Sequence, residues 1–194
     1  LFGDLAFLLT LVISIVVARE SFSSISQLVE SLNKDVGPAY LLMVLGLLLA
    51  AFSRSAQIPL NSWLPNSVAA PTPVSALLHA GVVNGSAIIY FRWYGLTSQS
   101  ALYAFIAVII GTSSVLLGMA VARTRPDVKS GLAWTTIAQM GFMTVQFALG
   151  LIGPALVHMF MHGYFKSWLF LGSSSGLDGG GNHKHPKTRK PSFI

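Results

Sequence analysis

The sequence predicts an all-α integral membrane protein with about six transmembrane helices, one of them broken by prolines. Of its 194 residues, 53% are hydrophobic and only 9% are charged, whereas a soluble domain carries roughly a quarter charged residues. The mean hydropathy of +0.67 indicates that lipid, rather than a buried globular core, covers most of the apolar surface. These two observations exclude a water-soluble protein, and the spacing of the apolar runs supplies the helices.

Six apolar runs are long enough, or nearly so, to cross about 30 Å of hydrocarbon at about 1.5 Å per residue. We name them segments A to F, and they lie at residues 1–18, 38–52, 74–94, 101–122, 131–152 and 154–172. Between A and B, the apolar residues of 21–32 recur at three- and four-residue spacing. This spacing is typical of a helix that lies at the membrane interface or of a loop helix that packs on neighbouring spans.

Segment B is short, and the stretch after it is interrupted. Its fifteen residues span only about 22 Å as a helix. Three prolines, Pro59, Pro65 and Pro71, follow within residues 53–72, beside a charge at Arg54 that we expect to be buried. Proline removes a backbone donor and breaks the helical ladder, and short, proline-interrupted segments are typical of transport sites. We therefore predict a broken helix with a functional role here.

Membrane orientation explains most of the basic excess. The formal charge is +6, but residues 1–172 alone carry eight bases against five acids, and no basic stripe suited to nucleic acid precedes the tail. Lysines and arginines on alternate loops divide eight against three, which places the B–C loop, the D–E loop and the C-terminal tail on the cytoplasmic or matrix side. Residues 1–172 form the membrane region, and the basic, Gly/Ser-rich tail at 173–194 is expected to be flexible.

Segment F carries three ionisable residues on one helical face. His158, His162 and Lys166 follow each other at four-residue spacing, which puts neighbouring groups about 6 Å apart. An ionisable side chain within the hydrocarbon costs about 2.5 to 3.5 kcal/mol, so each one requires a role or a partner. Because imidazole both accepts and donates near neutral pH, we predict a proton relay. The structural alternative is that the histidines bond within a packed interface while Lys166 snorkels to a headgroup.

Segments C and E add polar groups at a similar spacing. Each set has members four and seven residues apart: Ser75, His79 and Ser86 in C, with Asn84 to one side, and Thr135, Gln139 and Gln146 in E. With water between them, such hydroxyls, amides and imidazoles carry protons laterally. We therefore predict that Ser75, Thr135 and Gln139 are the polar lining of the relay.

Three long motifs resemble a known family. They are RSAQIPLNSWLPNSVAAPTPVSALLHAG at 54–81, RPDVKSGLAWTTIAQMGFM at 125–143, and HMFMHGYFKSWLFLGS at 158–173. Over about residues 1–175 the chain resembles the antiporter-like subunits of respiratory complex I, the Mrp-type cation/proton antiporters and the DabB inorganic-carbon transporters. The family fold is a bundle of two inverted repeats, each with a broken helix. The resemblance implies that this chain matches only the middle portion of that bundle.

The resemblance also implies roles for single residues. His79, Lys129, His158, His162 and Lys166 match family positions of the central proton path.

Arg54 departs from the family pattern, which usually has a Lys before SAQ on the broken helix. A guanidinium does not release its proton under physiological conditions, so we expect Arg54 to be a fixed positive charge. The family's acidic partner of that Lys lies outside this chain. Asp4 heads segment A near the membrane surface, and we expect it to be a poor substitute.

The function implied by the resemblance is that of a membrane subunit of a proton-translocating complex, like subunit 5 of the complex I NADH–quinone oxidoreductase. One alternative is a DabB-type subunit of a proton-driven inorganic carbon (CO₂) uptake complex. A second alternative, motivated by Arg54, is a non-conducting structural remnant or split half of such a subunit.

The implied partners are other membrane subunits, including polypeptide that supplies the missing helices, together with lipid and without nucleic acid. The chain has no cysteine for Fe–S ligation and no dinucleotide-binding motif, so we expect no cofactor and no catalysis in this chain alone. Redox cofactors or zinc then belong to partner subunits. The expected location is the mitochondrial inner membrane or the bacterial plasma membrane.

Overall fold

The computed structural model describes residues 2–18 and 38–178, which contain helices and no strand. The helices are α1 (Phe2–Ala18), α2 (Pro38–Arg54), α3 (Trp63–Asn66), α4 (Thr72–Ala80), α5 (Gly85–Arg92), α6 (Tyr94–Thr97), α7 (Ala101–Thr124), α8 (Val128–Ala148) and α9 (Ile152–Asp178). Short 3₁₀ turns at Ser67–Ala69 and Val82–Asn84 lie between them. The helix predicted within 21–32 and residues 179–194 of the predicted tail lie outside the described residues.

The last helix is longer than predicted. Segment F was expected to end at residue 172, yet α9 continues to Asp178, so the beginning of the predicted flexible tail is helical. No proline interrupts residues 173–178, and the Ser173 hydroxyl donates to the Phe170 carbonyl (2.7 Å) inside the helix. At the other end, Pro154 falls in the first turn of α9, where its missing N–H costs little.

Helix α2 ends through a backbone motif rather than at a proline, which corrects the predicted cause of the break. Ala56 has a positive φ of 50°, and the Gln57 N–H donates to the Phe52 carbonyl across five residues (2.9 Å). This is a Schellman-type termination, in which glycine usually occupies the left-handed position. The prolines of 59–71 follow the end of α2 and keep the chain from resuming that helix.

Protein covers the irregular stretch after α2. Ser55, Ala56 and Gln57 are fully buried. The Ile58 N–H donates to the Ser114 hydroxyl of α7 (3.1 Å), and the Trp63 indole N–H donates to the Ser53 carbonyl (2.9 Å). These bonds supply the partners that irregular backbone requires where water is absent.

Segment C is interrupted in the middle, although it was predicted as one uniform span. Helix α4 ends at Ala80, a 3₁₀ turn follows, and α5 begins at Gly85. Within the turn the Asn84 N–H bonds to the Gly81 carbonyl (3.0 Å) instead of reaching back to Ala80. A 3₁₀ stretch within a helix often marks a functional hinge.

Helices α7 and α8 form a close hairpin through glycine. A Cβ added at Gly111 would lie 2.8 Å from the Gly141 carbonyl oxygen, and one at Gly118 would lie 3.0 Å from the Trp134 carbonyl oxygen. Small residues let backbones approach where lipid removes the usual apolar driving force. The side chain of Asp127 caps α8 by accepting from the Ser130 N–H (2.7 Å).

The outer faces of the described helices are apolar. Large side chains such as Leu9 of α1, Leu116 of α7 and Phe160 of α9 are exposed within this chain. The stretches Thr72–Arg92 and Ala101–Thr124 are both long and apolar enough to cross a membrane, and Gly3–Val16 and Tyr40–Arg54 are shorter apolar helices. Apolar outer faces are what a protein surrounded by lipid presents.

A buried core holds the helices around the candidate site. Its residues include Met43 and Leu47 of α2, Ala87 of α5 and Phe147 of α8, and the Tyr90 and Phe147 rings lie 5.4 Å apart. Helix α9 packs against α4 and α8. This packing fixes the α9 side chains that face those helices.

Candidate functional site

A cavity of about 510 Å³ lies between α8 and α9, with Met119 of α7 on its wall. Its polar lining consists of Thr135 and Gln139 from α8 and His158, His162 and Lys166 from α9. The helical spacing of both sets therefore brings them to one shared space.

Lys166 is buried and bonded to α8. Its side chain is only 3% exposed, and Nζ donates to Thr135 Oγ1 (2.6 Å) and to the Leu132 carbonyl (3.0 Å). This geometry does not match the snorkelling alternative, because the ammonium points into the protein. An ammonium has three donors, so one remains for water or another ligand in the cavity.

His162 lies one turn before Lys166 and is 5% exposed. Among the described residues, neither its Nδ1 nor its Nε2 has a hydrogen-bond partner. Buried polar atoms are normally satisfied by protein or by water, and each exception calls for an explanation. His162 is therefore a buried imidazole on the cavity wall whose nitrogens bond to none of the described residues.

His158 lies between two glutamine side chains of α8. Its Nε2 is 2.9 Å from Gln139 Oε1, and its Nδ1 is 3.0 Å from Gln146 Oε1. The ring packs edge-on to His162, with centroids 6.2 Å apart, and lies 5.5 Å from the Phe142 ring. Both nitrogens of this histidine are therefore engaged, in contrast to those of His162.

His79 lies outside the cavity but contacts α9. Its ring stacks on Phe170 with centroids 4.5 Å apart, and Phe170 is one turn beyond Lys166. Nε2 is 3.4 Å from the Ser67 hydroxyl, whereas the buried Nδ1 has no partner within the described part of the chain.

Two further predicted residues do not reach the cavity. The Ser75 hydroxyl donates to the Ala70 carbonyl (3.2 Å), at the beginning of α4. Lys129 is half-buried in the first turn of α8, about two turns from Thr135. Neither residue lines the cavity with Lys166.

Arg54 and Asp4 form a partly exposed ion pair, which contradicts the expectation that Arg54 is buried. Arg54 Nη2 is 2.6 Å from Asp4 Oδ1, and the two side chains are 43% and 54% exposed. Arg54 was expected to be buried, and this expectation was wrong because the end of α2 packs beside the beginning of α1, where the pair lines a second cavity of about 690 Å³ with Trp63. That Asp4 is a poor substitute for the family's acidic partner stays a prediction, since an exposed ion pair does not test a role in proton transfer.

Two polar contacts were not foreseen. The spacing places Gln146 on the face of Gln139, but it does not reveal that His158 lies between them. Asn84 Nδ2 donates to the Ala80 carbonyl (2.7 Å) and lies 3.4 Å from the Met159 carbonyl of α9. A polar residue beside a glycine-flanked turn is the sequence signal for that contact.

Comparison with known proteins identifies the family to which this chain is related. Residues 1–186 match the family described as "NADH:quinone oxidoreductase/Mrp antiporter, TM". Halothiobacillus neapolitanus "Probable inorganic carbon transporter subunit DabB2" is 43% identical over 132 residues, covering 68% of this chain and 24% of the relative. Adiantum capillus-veneris chloroplastic NAD(P)H-quinone oxidoreductase subunit 5 is 39% identical over 130 residues, covering 66% and 18%.

A solved structure shares the fold. The Mrp complex from Dietzia sp. DQ12-45-1b matches with a TM-score of 0.85 and 28% identity, covering 92% of this chain and 20% of that one. The chain thus spans about a quarter or less of the length of these proteins. Because the family match covers nearly the whole sequence, this chain belongs to the NADH:quinone oxidoreductase/Mrp antiporter transmembrane family.

Proposed function

We propose that this chain contributes a Lys/His proton relay to a membrane subunit of a proton-translocating complex, as in complex I subunit 5. The observation that carries the proposal is the pairing of buried Lys166 with Thr135 on the wall of one cavity. One turn away lie the His162 nitrogens, which no described residue bonds. Lysine and histidine are the side chains that exchange protons readily when removed from water.

The relay runs along α9. His158, His162 and Lys166 are one turn apart and line the same cavity, so water there links each group to the next. His79 joins from α4 through its contact with Phe170. Arg54 takes no part in proton exchange and holds a fixed charge against Asp4.

The membrane arrangement follows from the same proposal. Segments A to F form six spans, with the B–C loop, the D–E loop and the tail on the cytoplasmic or matrix side. In support, Asn61 and Asn66 of the B–C loop line a common cavity with Arg125 of the D–E loop. Other membrane subunits, and polypeptide that supplies the remaining helices, complete the complex in a mitochondrial inner or bacterial plasma membrane.

The relay is tested with the assembled complex in proteoliposomes. We expect Lys166→Met to lower proton flux about a hundredfold or more, the scale of a lost acid–base group, and His162→Phe to lower it similarly. Ser167→Ala is the matched control, since Ser167 neighbours Lys166 on α9 and its hydroxyl donates within that helix (Gly163 carbonyl, 2.8 Å). Unchanged flux in both Lys166 and His162 variants would exclude the relay and favour a non-conducting structural subunit.

A second candidate is a DabB-type subunit of a proton-driven inorganic carbon uptake complex, and the 43% identity to DabB2 supports it. The relay residues are the same in both candidates, so the partners distinguish them. Quinone-binding and Fe–S subunits copurifying from a native detergent extract would support the complex I type. A soluble zinc-dependent CO₂-hydrating partner would support the DabB type.

A further inference from the structure

We propose that Gln139 and Gln146 are positioning residues that hold the ring of His158 and satisfy it in both its charged and its neutral form, so that this histidine takes up and releases a proton beside the relay. This inference rests on the proposed function and adds two residues with a defined task. It starts from the geometry of His158, both of whose nitrogens face glutamine side-chain oxygens at 2.9 and 3.0 Å.

A doubly protonated imidazole matches this pair of neighbours. A neutral ring has one N–H donor and one bare nitrogen, whereas the charged ring has two N–H donors. Two amide oxygens, one at each nitrogen, therefore satisfy the charged ring completely. Hydrogen bonds that are made to the charged form favour that form.

Glutamine also allows the proton to leave. When a proton on one ring nitrogen passes to cavity water, that N–H bond breaks and the nitrogen becomes an acceptor. A half-turn of the facing amide then presents its NH₂ group to the bare nitrogen, because the oxygen and nitrogen of an amide are nearly the same in shape. The two glutamines thereby satisfy both protonation states without moving a helix.

The two glutamines lie at different depths along α8, so the two nitrogens of His158 face different parts of the structure. They lie seven residues apart on α8, so His158 bridges two turns of that helix. Gln139 lines the cavity with Lys166, whereas Gln146 does not and belongs to the last turn of α8, shortly before Gly150. Nε2 thus faces the relay, and Nδ1 faces the α8–α9 turn.

The other groups near His158 do not replace the glutamines. On α9, the titratable neighbours are His162, whose ring lies 6.2 Å away, and Lys166 beyond it. Among the described residues, α8 presents the Phe142 ring (5.5 Å), α7 contributes Met119 to the cavity, and α4 contributes His79 through Phe170. None of these neighbours supplies a negative charge and Lys166 opposes a second positive one, so the two amides are the described groups that accept from the charged ring.

The test follows His158 protonation directly in the assembled complex. Infrared bands of isotope-labelled histidine are recorded against pH, with a His158→Phe complex subtracted, and proton flux is measured on the same samples. We expect Gln146→Leu to move the midpoint of the His158 bands about one unit to lower pH, because the charged ring loses an acceptor. Gln146→Glu should move it to higher pH, because a carboxylate favours the imidazolium.

Opposite shifts separate this role from packing, since loosened packing has no reason to change sign with charge. Thr144→Val is the control on the same helix, because the Thr144 hydroxyl bonds to the Met140 carbonyl (2.9 Å) and its loss should leave the midpoint in place. Shifts in the same direction, or none, would overturn the inference. If flux still depends on Lys166 in that case, the relay stands and only the glutamine role fails.

Discussion

The close contact between α7 and α8 gives a prediction whose size follows from the structure. A Cβ at Gly141 would lie 2.5 Å from the Gly111 carbonyl oxygen and 3.0 Å from Ser114 Cβ. Ordinary non-bonded contacts lie near about 3.5 Å, so Gly141→Ala forces the two backbones apart by up to about 1 Å. A gap of that size removes about a quarter to a half of the attraction at each contact along the seam.

The expected loss is the balance of two terms. Overpacking in a tight interior costs about 1 to 3 kcal/mol, while replacing glycine by alanine within a helix returns about 0.5 to 1 kcal/mol. Gly141→Ala should therefore lower the free energy of unfolding by about 1 kcal/mol, within a range of about 0 to 2.5 kcal/mol. Gly172 of α9 is the matched control, since an added Cβ meets no described residue within 4 Å, and its alanine variant should be neutral or slightly more stable.

The assay is denaturant and thermal unfolding of the purified complex in one detergent, with both variants prepared in parallel. The reasoning would be refuted if Gly141→Ala were as stable as Gly172→Ala. The substitution should affect proton flux only by separating α7 from α8, which displaces Thr135 and Gln139. A variant that loses proton flux but keeps its stability would therefore also contradict the reasoning.

Two other predictions concern polar contacts. A double-mutant cycle of Asp4→Asn and Arg54→Gln should give a coupling free energy of at most about 1 kcal/mol, because exposed ion pairs contribute little. The coupling is obtained from the unfolding free energies of the unmodified complex, the two single variants and the double variant. A coupling several times larger would show that the pair is not exposed. Asn84→Leu should lower stability by about 1 to 3 kcal/mol, because the Ala80 carbonyl loses a donor that the 3₁₀ turn does not replace, and a melting temperature equal to that of the unmodified complex would contradict this.

Much of the helical layout was predictable from apolar spacing, because runs of fifteen or more apolar residues have few other stable arrangements in lipid. Segments A, B, D, E and F each correspond to one helix. The ends were less predictable, since they depend on backbone motifs. Gly150, with a φ of +78°, ends α8 before the predicted end of segment E at residue 152, and Ala56 in the left-handed region ends α2 without a glycine signal.

For the candidate site, too, some features were predictable from the sequence and others were not. The stripe of His158, His162 and Lys166 was predictable because four-residue spacing sets one helical face, and all three residues line one cavity. The identity of their partners was not predictable, because it depends on how α8 lies against α9. The same holds for Arg54, whose pairing with Asp4 joins residues 50 positions apart in the chain.

The bond between the Ile58 N–H and the Ser114 hydroxyl constrains the order in which the chain completes its packing during synthesis. The two residues are 56 positions apart, so the ribosome has made α2 and the stretch after it well before α7 emerges. Until then the Ile58 N–H lacks the partner that it has in the folded chain, and a buried backbone donor without a partner costs several kcal/mol. We therefore expect the stretch after α2 to reach its final position only once α7 has been made.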